Sequence, residues 1–273
     1  MISSAMISNS MISNSMISNS MIITTDHGPV RELQLNRPPA NALSPELIVA
    51  LREAIESAPN DGARALVLSG TPGRFSGGLD VPLLLTLDRP TMARVWRDFY
   101  ALLRAIACSS IPVAAAINGH GPAAGTVLAL FCDWRGMAEG DWKMGFNEVQ
   151  VGIPLPPVIL SALKRQVGAR QAERLGTGGL VISAAEAARV GLVDELIPLD
   201  RVVGRAVEWC DSLLKLPPQA MTSTRRRARS DLASYFDQGI EREIGEVIAA
   251  WWSDETQSVL QAVAAMLTKK RSG

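Results

Sequence analysis

Residues 111–154 read IPVAAAINGHGPAAGTVLALFCDWRGMAEGDWKMGFNEVQVGIP, and the rest of the chain is arranged around them. The apolar run at residues 111–117 has the length of a buried strand and breaks at Asn118-Gly119. Small residues follow: Gly121, Pro122, Ala123, Ala124 and Gly125. Residues 126–132 then read as an apolar helix beginning at this turn. Small side chains let backbone approach a ligand, and a helix start presents unpaired N–H groups at the positive end of its dipole. Such a turn can hold a developing negative charge; it can equally be a tightly packed turn and nothing more. Downstream, Trp142, Met144 and Phe146 alternate with Lys143 and Gly145, the period of a strand with one buried face. Asn147-Glu148 follows at once. A glutamate there, between Phe146 and Val149, is either a rim residue or a placed base.

Upstream, residues 30–35 are the expected first strand, ended by Asn36-Arg37-Pro38-Pro39. Ser44-Pro45 supplies a helix N-cap and a first-turn proline, and Leu47, Leu51, Ala54, Ile55 and Ala58 give that helix an apolar face. Residues 65–68 are a short buried strand. Strand and helix alternate, which places the chain in the α/β class. The glycine-crowded SGTPGRFSGGLD, residues 69–80, marks a turn when taken alone. A helix over residues 91–107 carries Val95, Phe99, Leu102, Leu103 and Ile106 at core spacing; Trp96 and Tyr100 read as core, with pocket wall as the alternative. Pro156-Pro157 leads into a helix over residues 158–167, with a second over 169–175. Ser183 and Glu186 predict a capping box. A helix over residues 202–214, a break at Pro217-Pro218 and an amphipathic helix over 253–268 complete the pattern.

At 273 residues and 47% apolar, the chain can bury a large core as one or two domains. Its 27 basic and 27 acidic side chains cancel, so bulk charge gives no case for nucleic acid as a partner. The run Arg225, Arg226, Arg227, Arg229 reads as a solvated helix face, with contact to anionic ligand groups as the alternative. Three cysteines lack ligand or disulfide spacing, and only His27 and His120 are available to a histidine-based metal site, so no metal is expected. Residues 1–20 read MISSA followed by three copies of MISNS. They have neither the basic and apolar regions of a signal peptide nor the arginines of a transit peptide, and are expected to be a disordered tail or an upstream extension ahead of a start at Met21. No run of 18 apolar residues predicts a membrane span, and the expected location is cytoplasmic.

Four pieces, in order and at matching spacing, resemble the core of the crotonase superfamily, the enoyl-CoA hydratase/isomerase fold. They are FSGGLD (75–80), NGHGPAAG (118–125), LFCD (130–133) and GFNEVQVGIP (145–154). LVISAAEAARVGLVDELIP (180–198) extends the resemblance, which runs from about residue 22 to the C-terminus. Within the superfamily, the GFNE segment looks most like the monofunctional Δ3,Δ2-enoyl-CoA isomerases. The resemblance implies a crotonase-like (ClpP/crotonase) β-β-α superhelix over residues 21–200, after the 1–20 tail. It also implies a helical subdomain over residues 201–273 that builds a homotrimer or hexamer. The implied substrate is an acyl-CoA thioester in fatty-acid metabolism, with no separate cofactor because coenzyme A arrives with the substrate.

The same resemblance implies roles for residues. Backbone N–H groups of Gly77 and Ala124 would hold the thioester oxygen, and Glu148 would move a proton from C2 to C4. The segment NRPPANALS (36–44) resembles the loop that runs past the pantetheine and adenine of coenzyme A. Arg37, Ala40, Ala42, Gly78, Leu79 and Asp80 are therefore the expected CoA-binding residues, Asp80 also closing its turn through backbone N–H groups. Residues 81–87 would lie beside the acyl pocket or be plain core. Leu155-Pro156-Pro157, where many relatives are glycine-rich, would reshape the pocket wall. A hydratase of the superfamily carries a second glutamate at the position of Val127, and valine can neither hold nor activate water. Isomerisation is therefore expected over hydration. Another acyl-CoA reaction recruiting Asn147 or Asp88, and a noncatalytic acyl-CoA binder or structural trimer, are the alternatives.

Overall fold

The computed structural model describes residues 21–237 and 239–272. The 1–20 segment expected to be a tail lies outside them.

The chain opens with an antiparallel hairpin of β1 (Ile22–His27) and β2 (Val30–Leu35), Ile22 pairing with Leu35 and His27 with Val30. The strand expected first is therefore second; β1 has an exposed, polar centre that hides its period. α1 (Pro45–Ser57) begins where Ser44 Oγ accepts the Leu47 N–H. β3 (Ala65–Ser69) is buried throughout. The glycine-rich loop behind it holds β4 (Gly73–Arg74) and the one-turn α2 (Val81–Leu84), and α3 (Arg89–Ala107) follows.

The central stretch forms β5 (Val113–Ile117), β6 (Gly119–Pro122), α4 (Ala124–Leu130), β7 (Trp134–Ala138) and β8 (Lys143–Gly145). α4 starts and stops two residues earlier than its apolar run suggested. Next come α5 (Pro157–Thr177), broken at Gly168 (φ 76°), then β9 (Val181–Ser183), α6 (Ala184–Arg189) and β10 (Glu195–Ile197). Ser183 does cap α6 by accepting the Glu186 N–H, but the Glu186 carboxylate turns to Arg174 and Arg189. The chain ends in α7 (Val202–Leu214), α8 (Pro218–Ala228), α9 (Ser230–Ser234), α10 (Ile240–Trp251) and α11 (Asp254–Ser272).

The strands form two sheets, ordered β1-β2-β3-β5-β7-β10 and β4-β6-β8-β9. From β2 to β10 the first is parallel. Successive turns of the chain give one strand to each sheet: β3 then β4, β5 then β6, β7 then β8. This is the β-β-α superhelix of the crotonase-like α/β fold. Asn118 joins two turns, donating to the Gly70 carbonyl at 2.6 Å and accepting the Gly70 N–H at 3.1 Å. At Gly119 a Cβ would lie 1.9 Å from the Gly73 backbone, so only glycine lets β4 and β6 come this close.

One face of the large sheet packs Leu33, Leu66, Leu68, Ala115 and Ile117 against α1 and α3. The other buries Val30, Ala65, Val67, Ala114 and Ala116 under Val202, Ala206 and Cys210 of α7. Burial on both faces explains the nearly unbroken apolar runs of its strands. It also means that α7, expected within the C-terminal helical unit, belongs to the core. The basic run divides in the same spirit. Arg226 and Arg227 are exposed, whereas Arg225 and Arg229 turn inward onto Asp133 of the LFCD segment. Among the described residues no helix is long and apolar enough to cross a membrane.

Candidate active site

The two sheets and the C-terminal helices enclose a cavity of about 250 Å³. Its polar end is made of backbone. Ala123, with φ 51° and ψ −126°, donates its N–H to the Gly145 carbonyl at 2.8 Å and turns the chain into α4. The next amide, Ala124, is the first of the helix and takes no acceptor among the described residues. The loop at residues 75–80 lies against it: a Cβ added at Gly78 would sit 3.6 Å from the Ala124 nitrogen and 3.0 Å from the Ala123 Cβ.

That loop corrects one expectation. The Gly77 N–H is already donated to the Ala40 carbonyl at 2.7 Å, so it is not free for a thioester oxygen. The Gly78 N–H goes to Ser76 Oγ at 3.2 Å. The amide left without an acceptor among the described residues is that of Leu79, which lines the cavity beside Ala124. Two free donors therefore flank the polar end, supplied by Leu79 and Ala124.

The residues expected to bind coenzyme A are brought together, chiefly as a brace. Arg37 pairs with Asp80 and donates to the Ala42 carbonyl at 3.1 Å. Leu43 N–H bonds the Gly78 carbonyl at 2.8 Å, and Asp80 N–H bonds the Leu43 carbonyl at 3.0 Å. Asp80 also accepts the Leu83 N–H at 3.4 Å, the capping role expected of it. Of the six, only Leu79 reaches the cavity wall; Arg37, Ala40, Ala42, Gly78 and Asp80 fix the loop that presents it.

Glu148 enters from the end of β8 and opens the 3-10 turn Val149–Val151. Its carbonyl accepts N–H groups of Val151 and Ile153, both at 3.0 Å, which anchors the residue's backbone. Burial pushes its carboxyl up to about 7, partly offset by its own backbone N–H. Oε2 is buried without a hydrogen-bond partner among the described residues. Glu148 is also the one ionisable side chain lining the cavity among the described residues, Asn147 being its polar neighbour.

The remaining wall is apolar. α2 gives Val81, α3 gives Trp96 and Phe99, and α4 gives Val127. Pro156 and Ile159 of the proline-rich entry to α5 form another side, without Leu155. Tyr100, the other aromatic considered for the wall, instead donates to Glu243 at 3.2 Å. Trp251 from α10, with Leu260 and Val263 from α11, completes the wall and was not anticipated. Apolar periodicity does not separate cavity wall from core, so nothing local marks them. Asp88 is spent capping α3 at Thr91, and does not line the cavity.

An amide pair at one end, a carboxyl whose charged and neutral forms are both accessible near neutrality, and dry walls suit proton transfer at carbon beside an acyl oxygen. The family model Enoyl-CoA hydratase/isomerase matches residues 25–263. The chain belongs to this family.

Its relatives carry both names in that description. Mitochondrial enoyl-CoA delta isomerase 1 of Mus musculus is 31% identical over 255 residues, 92% of this chain and 88% of the relative. A "probable enoyl-CoA hydratase" of Mycobacterium avium is 36% identical over 200 residues, 71% of this chain and 75% of the relative. The crystal structure of human mitochondrial delta3-delta2-enoyl-CoA isomerase superposes with a TM-score of 0.87 at 29% identity, covering 92% of this chain and 99% of that one. The reaction of this enoyl-CoA hydratase/isomerase is thus of the general isomerase/hydratase type. Beside Val127 in the family helix, Thr126 donates to the Gly121 carbonyl at 2.6 Å and accepts the Gly145 N–H at 2.7 Å. It braces the turn and is fully buried, which leaves valine as the wall residue there.

Proposed function

We propose that the protein is a Δ3,Δ2-enoyl-CoA isomerase in which Glu148 is the single acid/base. The observation that carries this reading is the cavity's ionisable content among the described residues: one carboxyl, Glu148, with Val127 where a hydratase of the resembled type has its second. A 3-enoyl thioester has an acidic proton at C2. Glu148 removes it as the carboxylate, and the electron pair moves through the C3 double bond onto the thioester oxygen. The N–H groups of Ala124 and Leu79 receive the developing charge, each such donor being worth about 2.7–4 kcal/mol in comparable sites. The resulting carboxylic acid returns the proton at C4, giving the conjugated 2-enoyl thioester. A base held near 7 can both take and give that proton at neutral pH. No water is consumed, so one carboxylate suffices.

The name of the M. avium relative points toward hydration, but Val127 offers nothing to hold or activate a water. The helices after Pro217 are proposed to assemble a homotrimer or a pair of trimers, and fatty-acid β-oxidation is the setting that a 3-enoyl substrate suits.

The test is Glu148→Gln, which keeps shape and removes the base. Isomerisation should fall by about 10²–10⁴-fold, the usual contribution of a general base. Acyl-CoA binding, measured by calorimetry with a saturated thioester, should persist. Undiminished isomerisation by the folded variant removes Glu148 from the mechanism.

A further inference from the structure

Two side-chain atoms in the cavity wall are buried with no hydrogen-bond partner among the described residues: Oε2 of Glu148, an acceptor, and Nε1 of Trp96, a donor. Their chemistry is complementary. Trp96 is 4% exposed, and its ring is fixed by packing within α3. Phe99 meets it edge-on with centroids 5.9 Å apart, and Tyr100 lies tilted at 6.2 Å. Both a buried donor and a buried acceptor raise the free energy of the fold when left alone, and an ionised acceptor does so far more. The hydrocarbon of an acyl chain would supply neither with a partner.

We propose that the Trp96 indole N–H donates to the Glu148 carboxylate when that group ionises, making Trp96 the residue that positions the base. The inference rests on the reading of Glu148 as the acid/base. In the neutral acid, apolar surroundings are tolerable and the indole stays unpaired. In the carboxylate, rotation of the Glu148 side chain within the shared cavity brings one oxygen onto the indole and leaves the other for the C2 proton. A donor that serves only the charged form stabilises it and holds its titration lower than burial alone would.

Among the described residues, no other titratable group of the packed elements lines the cavity, and several are paired elsewhere. Tyr100 of α3 bonds Glu243 of α10, and Arg97 of α3 pairs with Glu241. Arg89 lies over the Trp252 ring at 5.1 Å, and Asp80 before α2 holds Arg37. None of them lines the cavity. α4 and the turn before it line the cavity with Ala123, Ala124 and Val127, and His120 and Lys143 of the second sheet are not in its wall. Three side chains lining the cavity with Glu148 carry N–H groups, namely Trp96, Trp251 and its chain neighbour Asn147, and among the described residues only the Trp96 N–H is buried without a partner.

The experiment reads the indole directly. The chain has six tryptophans, so ¹H–¹⁵N spectra resolve a small set of indole signals, and Trp96→Phe assigns the one of interest. With rising pH the Trp96 N–H signal should move downfield through the Glu148 titration in wild type, and stay still in Glu148→Gln. Kinetics supply a second readout. Replacing Trp96 by β-(3-benzothienyl)alanine keeps the ring outline and exchanges N–H for sulfur. The midpoint of the kcat/KM–pH profile should then rise by about one unit, with about tenfold lower turnover below it. A Trp96 signal that does not titrate, or a midpoint unmoved in the sulfur-containing variant, overturns the pairing. Glu148→Gln separates the two levels. If that variant still turns over, the base assignment fails; if it is inactive while the wild-type Trp96 signal stays flat, only the pairing fails.

Discussion

At the scale of single residues the site stores its function as an electrostatic penalty. Glu148 titrates near 7 because burial disfavours its charge, against an ordinary value of 4.5. Below about pH 4.5 the folded and unfolded chains both hold this proton. Between about 4.5 and 7 the folded chain holds it and the unfolded chain does not, so stability falls as pH rises. Above 7 the whole penalty is present, of order 3 kcal/mol for a shift of this size. Glu148→Gln removes the charge, and urea melts should find it more stable than wild type at pH 8 by up to about 3 kcal/mol, with little difference near pH 4. A variant no more stable than wild type at pH 8 would contradict the burial argument. That Glu148 lines the cavity was legible because it closes a recognisable strand and motif. The amide beside Ala124 that lacks an acceptor among the described residues was expected two residues early, at Gly77 instead of Leu79. Which amide of a Gly-Gly turn stays free depends on where the Ala40 carbonyl sits, and local sequence does not carry that.

At the scale of elements the start of α4 matters most. Ala123 occupies a positive-φ conformation that costs an L residue about 1–3 kcal/mol, more than the flexibility glycine would add to the unfolded chain. Ala123→Gly should therefore raise stability by about 1 kcal/mol, read as a higher Tm. A clear fall in Tm would show that the Ala123 methyl packing on Gly78 outweighs the strain. At Ala124 the proposed role belongs to the amide, not the methyl. Glycine should retain most activity, and proline should abolish it by removing the N–H, with circular dichroism checking that the variant folds. The docking of α8 and α9 hangs on Asp133, which accepts from Arg225 at 2.8 Å and Arg229 at 3.1 Å in a nearly buried cluster. Asp133→Ala should cost about 3–5 kcal/mol, because it leaves two guanidinium groups without their carboxylate. The arginine run looked like a solvated face because sequence shows charge and spacing but not the buried carboxylate 92 residues away that Arg225 meets.

At the scale of the whole molecule, the superhelix supplies the cavity's amides and Glu148, and the last helices supply part of its apolar wall. The β-α alternation and the four motif segments made the first part legible in the sequence. The second part was hidden, because Trp251, Leu260 and Val263 reach the cavity only through the return of α10 and α11 across the core. The proposed assembly makes a prediction at this scale: light scattering at micromolar concentration should give three or six times the 29.2 kDa chain mass. A monomer mass would refute it.

The central claim, isomerisation without hydration by one carboxylate, is tested most directly by giving the wild-type protein a 3-enoyl-CoA and a 2-enoyl-CoA in separate reactions and identifying products by mass and ultraviolet absorbance. The account predicts rapid conversion of the first into the conjugated 2-enoyl thioester, at unchanged mass, and negligible addition of water to the second. Rapid formation of the 3-hydroxyacyl product from the 2-enoyl thioester would contradict it.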